Sequence, residues 1–570
     1  MATPPYSVHV ERNVAVPMRD GVVLRADVYR PDAAGPFPVI LTRTPYNKTA
    51  LDGGPSPTYE TLAASGYLIV AQDVRGRYAS DGEFTPLFAF GYPDIEDGYD
   101  TVEWCARLPD STGDVGIFGN SYGGFTSYCA AFSQAPSLRC VFAEGMTQRL
   151  TDFEPHFRPG RRFAWSMCTI APDIRLKQGL GGPHHKEIAD QLWERERHKW
   201  LWFLPRKDIP DDHFGGPVQA AYYRTLMTEA GVDTFQWQDR YPDVRVPVFH
   251  RTGWYDRFVR AIDGHTLMAQ QAGTPEARAG QRAMIGPWGH TSALNVYEGE
   301  LDFGPDGLVE QTDLLLRWFD FWLKDQDTGI MDEGPISLYI LGDNAWRNEN
   351  EWPLARTQYT DYHLHSNGNA QTPHGDGALS PDQSGDESPD QFVYDPRDPV
   401  PSCHLMHDQD GVFDQRVLDS RQDVLVYQTD TLTEPLEVTG EPVLHLHAAS
   451  SAVDTDFMAK LIDVHPNGFA QNLSYGVVRA RYRNGYESSQ LLTPGQVYEF
   501  TITLNPIANV FQPGHRLRLD ISSSDFPNWD RNLNTGSDGY ADATMVSARQ
   551  TVLHDANHPT RITLPVIPRD

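Results

Sequence analysis

Val115-Gly116-Ile117-Phe118-Gly119-Asn120-Ser121-Tyr122-Gly123-Gly124-Phe125-Thr126-Ser127-Tyr128-Cys129-Ala130-Ala131-Phe132 decides the reading of this 570-residue chain. A short apolar run, Val115 to Phe118, leads into glycine, and a helix-compatible stretch, Phe125 to Phe132, lies just beyond the next two. A serine between them sits at a sharp strand-to-helix turn. Such a turn needs small residues two positions either side of the serine, because the strained backbone brings neighbouring chain too close for a larger side chain. Gly119 and Gly123 supply that space. The turn also aims backbone N–H groups and the helix N-terminus at a developing oxyanion, so the amide of Tyr122 is the expected donor. Alone, the pattern also fits a glycine-rich turn with an inert serine; the strand before it and the helix after it favour the nucleophile.

Working outward, Val22 to Arg30, Val39 to Thr42, Tyr67 to Val74 and Cys140 to Ala143 read as further strands, separated by segments long enough for crossover helices. Continuous apolar runs such as Val39-Ile40-Leu41 suit a mostly parallel sheet covered on both faces. From about Arg149 to Arg245 the strand signals vanish, and Phe153, Phe157, Phe163, Trp165, Trp193, Trp200, Trp202 and Phe203 appear among helix formers. This predicts a helical insertion whose aromatic residues form a core or line a pocket. Strand text resumes at Val246 to Phe249 and Arg282 to Ile285, and Leu314, Leu315, Trp318, Phe319 and Trp322 recur at helical spacing. Ser366 to Pro401 is rich in Gly, Ser, Asp, Asn and Pro and reads as a surface connection. Beyond it the period is two, as in Tyr498, Phe500, Ile502 and Leu504, which predicts an antiparallel sandwich such as a jelly roll. The predicted organisation is an α/β-hydrolase fold with an inserted helical cap and a C-terminal β jelly-roll sandwich. Its parts are residues 1–148, the cap at 149–245, the rest of the hydrolase domain at 246–352, and the sandwich at 353–570.

Composition narrows the function. Lys and Arg number 47 against 77 Asp and Glu, a formal net charge of -30, which speaks against a nucleic-acid partner. Cys105, Cys129, Cys140, Cys168 and Cys403 are odd in number, far apart and without C-x-x-C spacing, so neither a disulfide framework nor a zinc cluster is expected. No run of 18 apolar residues occurs and Met1 to Glu11 lacks an apolar leader, so a cytoplasmic protein with no membrane partner is expected. A homo-oligomer stays open.

A serine hydroxyl is a weak nucleophile, so a base must lie within hydrogen-bond reach and an acid must orient that base. In an α/β hydrolase the chain order after the serine is acid, then histidine. Val246 to Phe249 runs into Gly253-Trp254-Tyr255-Asp256, and Arg282 to Ile285 runs into Gly286-Pro287-Trp288-Gly289-His290. Both would stand at carboxyl ends of parallel strands, where such sheets bind ligands. Ser121, Asp256 and His290 are therefore the candidate catalytic residues.

Further segments carry a family resemblance: Arg43-Thr44-Pro45-Tyr46, Gln72-Asp73-Val74-Arg75-Gly76-Arg77, Ser451-Ala452-Val453-Asp454-Thr455-Asp456-Phe457 and Ser522-Ser523-Ser524-Asp525-Phe526-Pro527. With the motifs above, the chain resembles the cocaine-esterase-like (CocE/NonD) hydrolases of the X-prolyl dipeptidyl peptidase superfamily over nearly its whole length. The resemblance implies that the Tyr46 phenol joins the Tyr122 amide in an oxyanion hole, and that Asp73 and Arg75 to Arg77 tie a loop beside the site. In the similar α-amino acid ester hydrolases an acidic cluster, part of it just after the catalytic aspartate, binds the substrate ammonium. Here Arg257, Phe258 and Val259 stand there, which disfavours a free-amine substrate.

The expected reaction is hydrolysis of a small-molecule carboxylic ester through an acyl-enzyme, with apolar or aromatic acyl groups. The alternatives are an amide or β-lactam acylase on the same triad, and a noncatalytic binding protein using its jelly roll. That chemistry calls for no cofactor and no metal. His445 and His447 share a strand face as zinc ligands can, but no third ligand accompanies them.

Overall fold

The structure, a computed structural model, describes residues 5–49, 57–86, 93–147, 158–228, 237–290, 296–403, 410–486, 488–537 and 539–569. Its first half is organised by a ten-stranded sheet. The strands are β1 (Val8–Pro17), β2 (Val23–Pro31), β3 (Phe37–Thr44), β4 (Leu68–Asp73), β5 (Ser111–Asn120), β6 (Leu138–Glu144), β7 (Val248–Gly253) and β8 (Arg282–Gly286), followed by Ile336–Ile340 and Ala345–Glu349. They lie in the order β1-β2-β4-β3-β5-β6-β7-β8 with the last two strands beyond β8. From β4 to Ile336–Ile340 every neighbour is parallel, and the flanking pairs are antiparallel.

Side-chain alternation explains why the central strands read as unbroken apolar runs. Val39 and Leu41, Val115 and Ile117, and Val141 and Ala143 face one layer, which contains Phe125, Tyr128 and Cys129 of the helix Tyr122–Phe132. Ile40, Phe118 and Phe142 face the other, where Leu314, Leu315, Trp318 and Phe319 of the helix Gln311–Lys324 cover them. A strand buried on both faces has no polar alternate, and each such side chain contributes about 1.5–3 kcal/mol.

The insertion between β6 and β7 is helical. Pro159–Ala164 passes into a wide turn with π-helical hydrogen bonding, Trp165–Ile170, and then into Ala171–Gln178, Lys186–Trp202 and Pro217–Leu226. Phe163, Trp193 and Trp200 are buried in the core this insertion shares with the sheet, whereas Trp165 is only half-buried. Phe153 and Phe157 lie outside the described residues.

The second half forms a 13-stranded, almost wholly antiparallel sheet system around an apolar interior that includes Leu444, Phe457, Phe500, Leu519 and Ile562. Here the reading of Ser366 to Pro401 as a surface connection is corrected, because Ala378–Ser380 and Asp390–Tyr394 are strands of this system. Their polar composition serves a buried cluster. Asp390 accepts from Ser366 Oγ, the Ala370 amide and Tyr427 Oη, and it holds His554 at 3.0 Å.

The sandwich motifs lock the two halves together. Asp454 and Asp456 pair with Arg481 and Arg479, while Asp530 pairs with Arg479 and with Arg206 of the cap. The amide of Gly160, also in the cap, donates to the carbonyl of Pro527 at 2.9 Å. Among the described residues no helix is long and apolar enough to cross a membrane.

Candidate active site

β5 delivers Ser121 to the carboxyl edge of the sheet in a backbone conformation of φ 57° and ψ −119°. A non-glycine residue there carries about 1–3 kcal/mol of strain, which the surrounding chain must hold. The Ser121 amide donates to the carbonyl of Glu144 at 2.9 Å, tying the turn to β6. A Cβ on Gly119 would come within 2.4 Å of the Gly123 carbonyl carbon, so the two glycines allow the turn to close. Tyr122 is the first residue of the following helix, which puts its amide at the helix N-terminus. Its phenol donates to Asp94 Oδ2 at 3.2 Å, and burial, opposed by Arg43, pushes the Asp94 carboxyl up to about 7.

The loops after β7 and β8 are interlocked. The Trp254 amide donates to the Gly286 carbonyl at 2.9 Å and the Tyr255 amide to the Trp288 carbonyl at 3.0 Å. A Cβ on Gly253 would lie 1.9 Å from the Trp288 carbonyl oxygen, so only glycine permits this approach. The consequence is a fixed spacing between Asp256 and His290. His290 Nδ1 stands 3.1 Å from each carboxylate oxygen of Asp256, and Nε2 stands 2.9 Å from Ser121 Oγ. A carboxylate only accepts, which places the ring proton on Nδ1 and leaves Nε2 to accept from the serine hydroxyl. Asp256 is 2% exposed and is held by the Phe258 amide at 3.0 Å and by Thr252 Oγ1 at 3.3 Å. Tyr255, the preceding residue, is buried in an apolar core that runs through both halves, and its phenol oxygen accepts from Gln471 Nε2 at 2.8 Å.

Tyr46 follows β3 and lines the same pocket as Ser121 and Tyr122. Its hydroxyl oxygen accepts a hydrogen bond from the indole of Trp165 at 3.1 Å, which leaves the phenolic proton free to point elsewhere. The loop carrying Tyr46 is anchored by Arg77, whose guanidinium donates to the carbonyls of Pro45, Ile170 and Thr169. Asp73 receives the Lys48 amide and ammonium, and Arg75 pairs with Asp97 and Asp20. These residues tie the chain that follows β4 to its neighbours beside the site.

All five residues singled out in the sequence thus meet at one edge of the sheet. Sequence reasoning missed the Trp165 indole bond and the charge of the walls. The pocket is also lined by Met146, Phe258 and four arginines: Arg158, Arg161, Arg162 and Arg257. The signal that could have found them is the clustering of Arg158, Arg161 and Arg162 around Pro159-Gly160. A roomier cleft of about 600 Å³ lies at the opposite, amino ends of β6 and β7, beside Leu138 and Val246, and holds no nucleophile paired with a base. Among the described residues the one trio with metal-ligand spacing is Asp463, His465 and His515, which does not include His445 or His447.

Comparison with known proteins agrees with this architecture. Residues 20–292 match the X-Pro dipeptidyl-peptidase (S15 family), and residues 328–563 match the X-Pro dipeptidyl-peptidase C-terminal non-catalytic domain. Cocaine esterase of Rhodococcus sp. (strain MB1 Bresler) is 35% identical over 98% of this chain and 99% of its own. This chain is a member of the S15 family, in its cocaine-esterase-like branch. Among solved structures of similar shape, an aminopeptidase from a marine sediment archaeon, Thaumarchaeota archaeon, has a TM-score of 0.80 at 26% identity, covering 100% of this chain and 97% of its own. An α-amino acid ester hydrolase has a TM-score of 0.76, also at 26% identity, covering 99% and 98%. The α/β-hydrolase fold with a C-terminal β domain is common ground for the family.

Proposed function

We propose that this protein is a serine carboxylic ester hydrolase that works through an acyl-enzyme. The unbroken line from Ser121 Oγ through His290 to Asp256, at 2.9 and 3.1 Å, carries this reading. Ser121 attacks the ester carbonyl carbon while Nε2 of His290 takes the hydroxyl proton. Asp256 orients the ring and stabilises the imidazolium. The Tyr122 amide and the Tyr46 hydroxyl, the latter oriented by Trp165, bind the oxyanion. The tetrahedral species collapses as His290 returns the proton to the departing alcohol, and water then repeats the steps on the acyl-enzyme. Kinship with a cocaine esterase supports ester cleavage.

A fluorophosphonate probe should label Ser121 stoichiometrically, with a pre-steady-state burst on p-nitrophenyl esters. No label and no turnover would leave a noncatalytic binding protein. Similarity to an aminopeptidase favours amide cleavage as a second reading on the same residues. An ester and its matched amide decide between the two: a kcat/KM for the amide equal to that of the ester would make the protein an acylase.

A further inference from the structure

A chain of net charge -30 gathers four arginines around one serine. Arg158, Arg161 and Arg162 come from the cap, and Arg257 follows Asp256 directly. Among the described residues their partners do not match their charge. One carboxylate, Asp410, serves both Arg161 and Arg257. Arg158 donates to neutral acceptors, Asn528 Oδ1 and the Tyr475 hydroxyl. Arg162 has no ion-pair partner among the described residues. Arg161 Nε is buried with no hydrogen-bond partner. Burial pushes the Arg257 guanidinium below its ordinary range, Asp410 opposes this, and Arg161 pushes it further down.

Holding like charges together in a half-buried wall costs free energy unless an anion arrives to accept their hydrogen bonds. A guanidinium presents planar paired donors that match a carboxylate, and exclusion of water strengthens that match. The flat apolar surfaces of Trp165, Phe258 and Met146 complete the walls and suit the methylene or aromatic spacer of such a substrate.

We infer that the pocket selects esters bearing a carboxylate, held by the cap arginines while Ser121 attacks the ester carbonyl. The inference rests on the hydrolase reading and names its substrate class. An ammonium in the same position would face the arginines and should be rejected.

Three p-nitrophenyl esters test this: the glutaric half-ester, the neutral pentanoate, and the cationic 4-(trimethylammonio)butanoate. The half-ester is expected to exceed the pentanoate at least tenfold in kcat/KM, and the cationic ester should be poorest. Raising the salt concentration should shrink the anionic-to-neutral ratio. Arg162→Gln should lower that ratio at least tenfold, chiefly through KM, while Arg162→Lys should retain most of it. A pentanoate preferred to, or equal to, the half-ester in the wild-type protein would overturn the inference while leaving the hydrolase intact. Failure of the hydrolase reading looks different, with all three esters surviving. Titration of Ser121→Ala with the half-ester and the pentanoate then decides the pocket by binding alone: tenfold tighter binding of the half-ester upholds the inference, and equal binding ends it.

Discussion

Of the imidazoles in this protein that rest on carboxylates, His290 of the hydrolase half and His554 of the sandwich are separated by their second nitrogens. His290 has Asp256 on Nδ1 and the Ser121 hydroxyl on Nε2, with 12% of its side chain exposed. His554 has Glu387 on Nδ1 and Asp390 on Nε2, at 3.1 and 3.0 Å, with 0% exposed. A ring between two carboxylates donates from both nitrogens and has nowhere to accept a proton. Burial opposes its charge, yet the hydrogen bonds and charges of Asp390 and Glu387 prevail and raise its pKa above the ordinary value. A ring between a carboxylate and a hydroxyl keeps one lone pair for chemistry. One carboxylate makes a base, and a second turns the same side chain into a buried strut.

The contrast breaks most clearly at Ser121. Ser121→Ala should lower ester kcat by about 10⁴-fold or more while leaving the denaturation midpoint within a degree or two, because triad members act as one unit. Next in size, His554→Gln should cost about 3 kcal/mol in chemical denaturation, since it removes the cation from the buried Asp390 and the half-buried Glu387. At a temperature where that variant remains folded, its kcat/KM should match the parent; a loss of turnover there would erase the distinction between strut and base. Tyr46→Phe should lower kcat by about 10²–10³-fold with KM little changed, as expected for a donor that serves the oxyanion. A change confined to KM would recast Tyr46 as a binding residue.

The smallest effect is on the pH dependence of stability. The raised pKa of His554 means its contribution is complete below about 6.5, the unfolded value, and is lost as pH climbs through the higher folded value. Glu387 and Asp390 have lowered pKa values, for although burial raises them, hydrogen bonds from His554, from His365 and from backbone amides dominate. Their contribution is therefore present above the unfolded carboxyl range of about 4 and fades as pH falls below it. The stability difference between the parent and His554→Gln should be greatest between these limits and should narrow toward alkaline pH. A difference that is flat from pH 5 to 9 would mean that His554 is not held as a cation.

The same contrast marks what a linear reading captures. Ser121, Asp256 and His290 were legible because each terminates a strand of β-branched and apolar residues with a glycine-bearing loop, a local signal that recurs in chain order. The family resemblance located Tyr46, which local pattern alone presents as a loop aromatic. Glu387, Asp390 and their strands were misread because three- and five-residue strands are too short for period two to emerge, and because the acids needed by His554 give the stretch a loop's composition. Trp165 appeared as one more core aromatic, since a donor's target 119 positions away leaves no trace in spacing. Asp410, shared by Arg161 and Arg257, was invisible for the same reason.

Tyr255 adjoins the acid of the candidate triad; its ring packs 6.0 Å from that of Phe303 in a core that runs through both halves, and its hydroxyl is bonded to Gln471 of the sandwich. The sandwich thus braces, through one hydrogen bond, the neighbour of a carboxylate that the sheet itself carries. A chain cut before the sandwich would keep the serine, the imidazole and the carboxylate but lose the Gln471 bond that steadies the residue beside the acid. Loosening that bond should therefore be felt first as a wandering carboxylate.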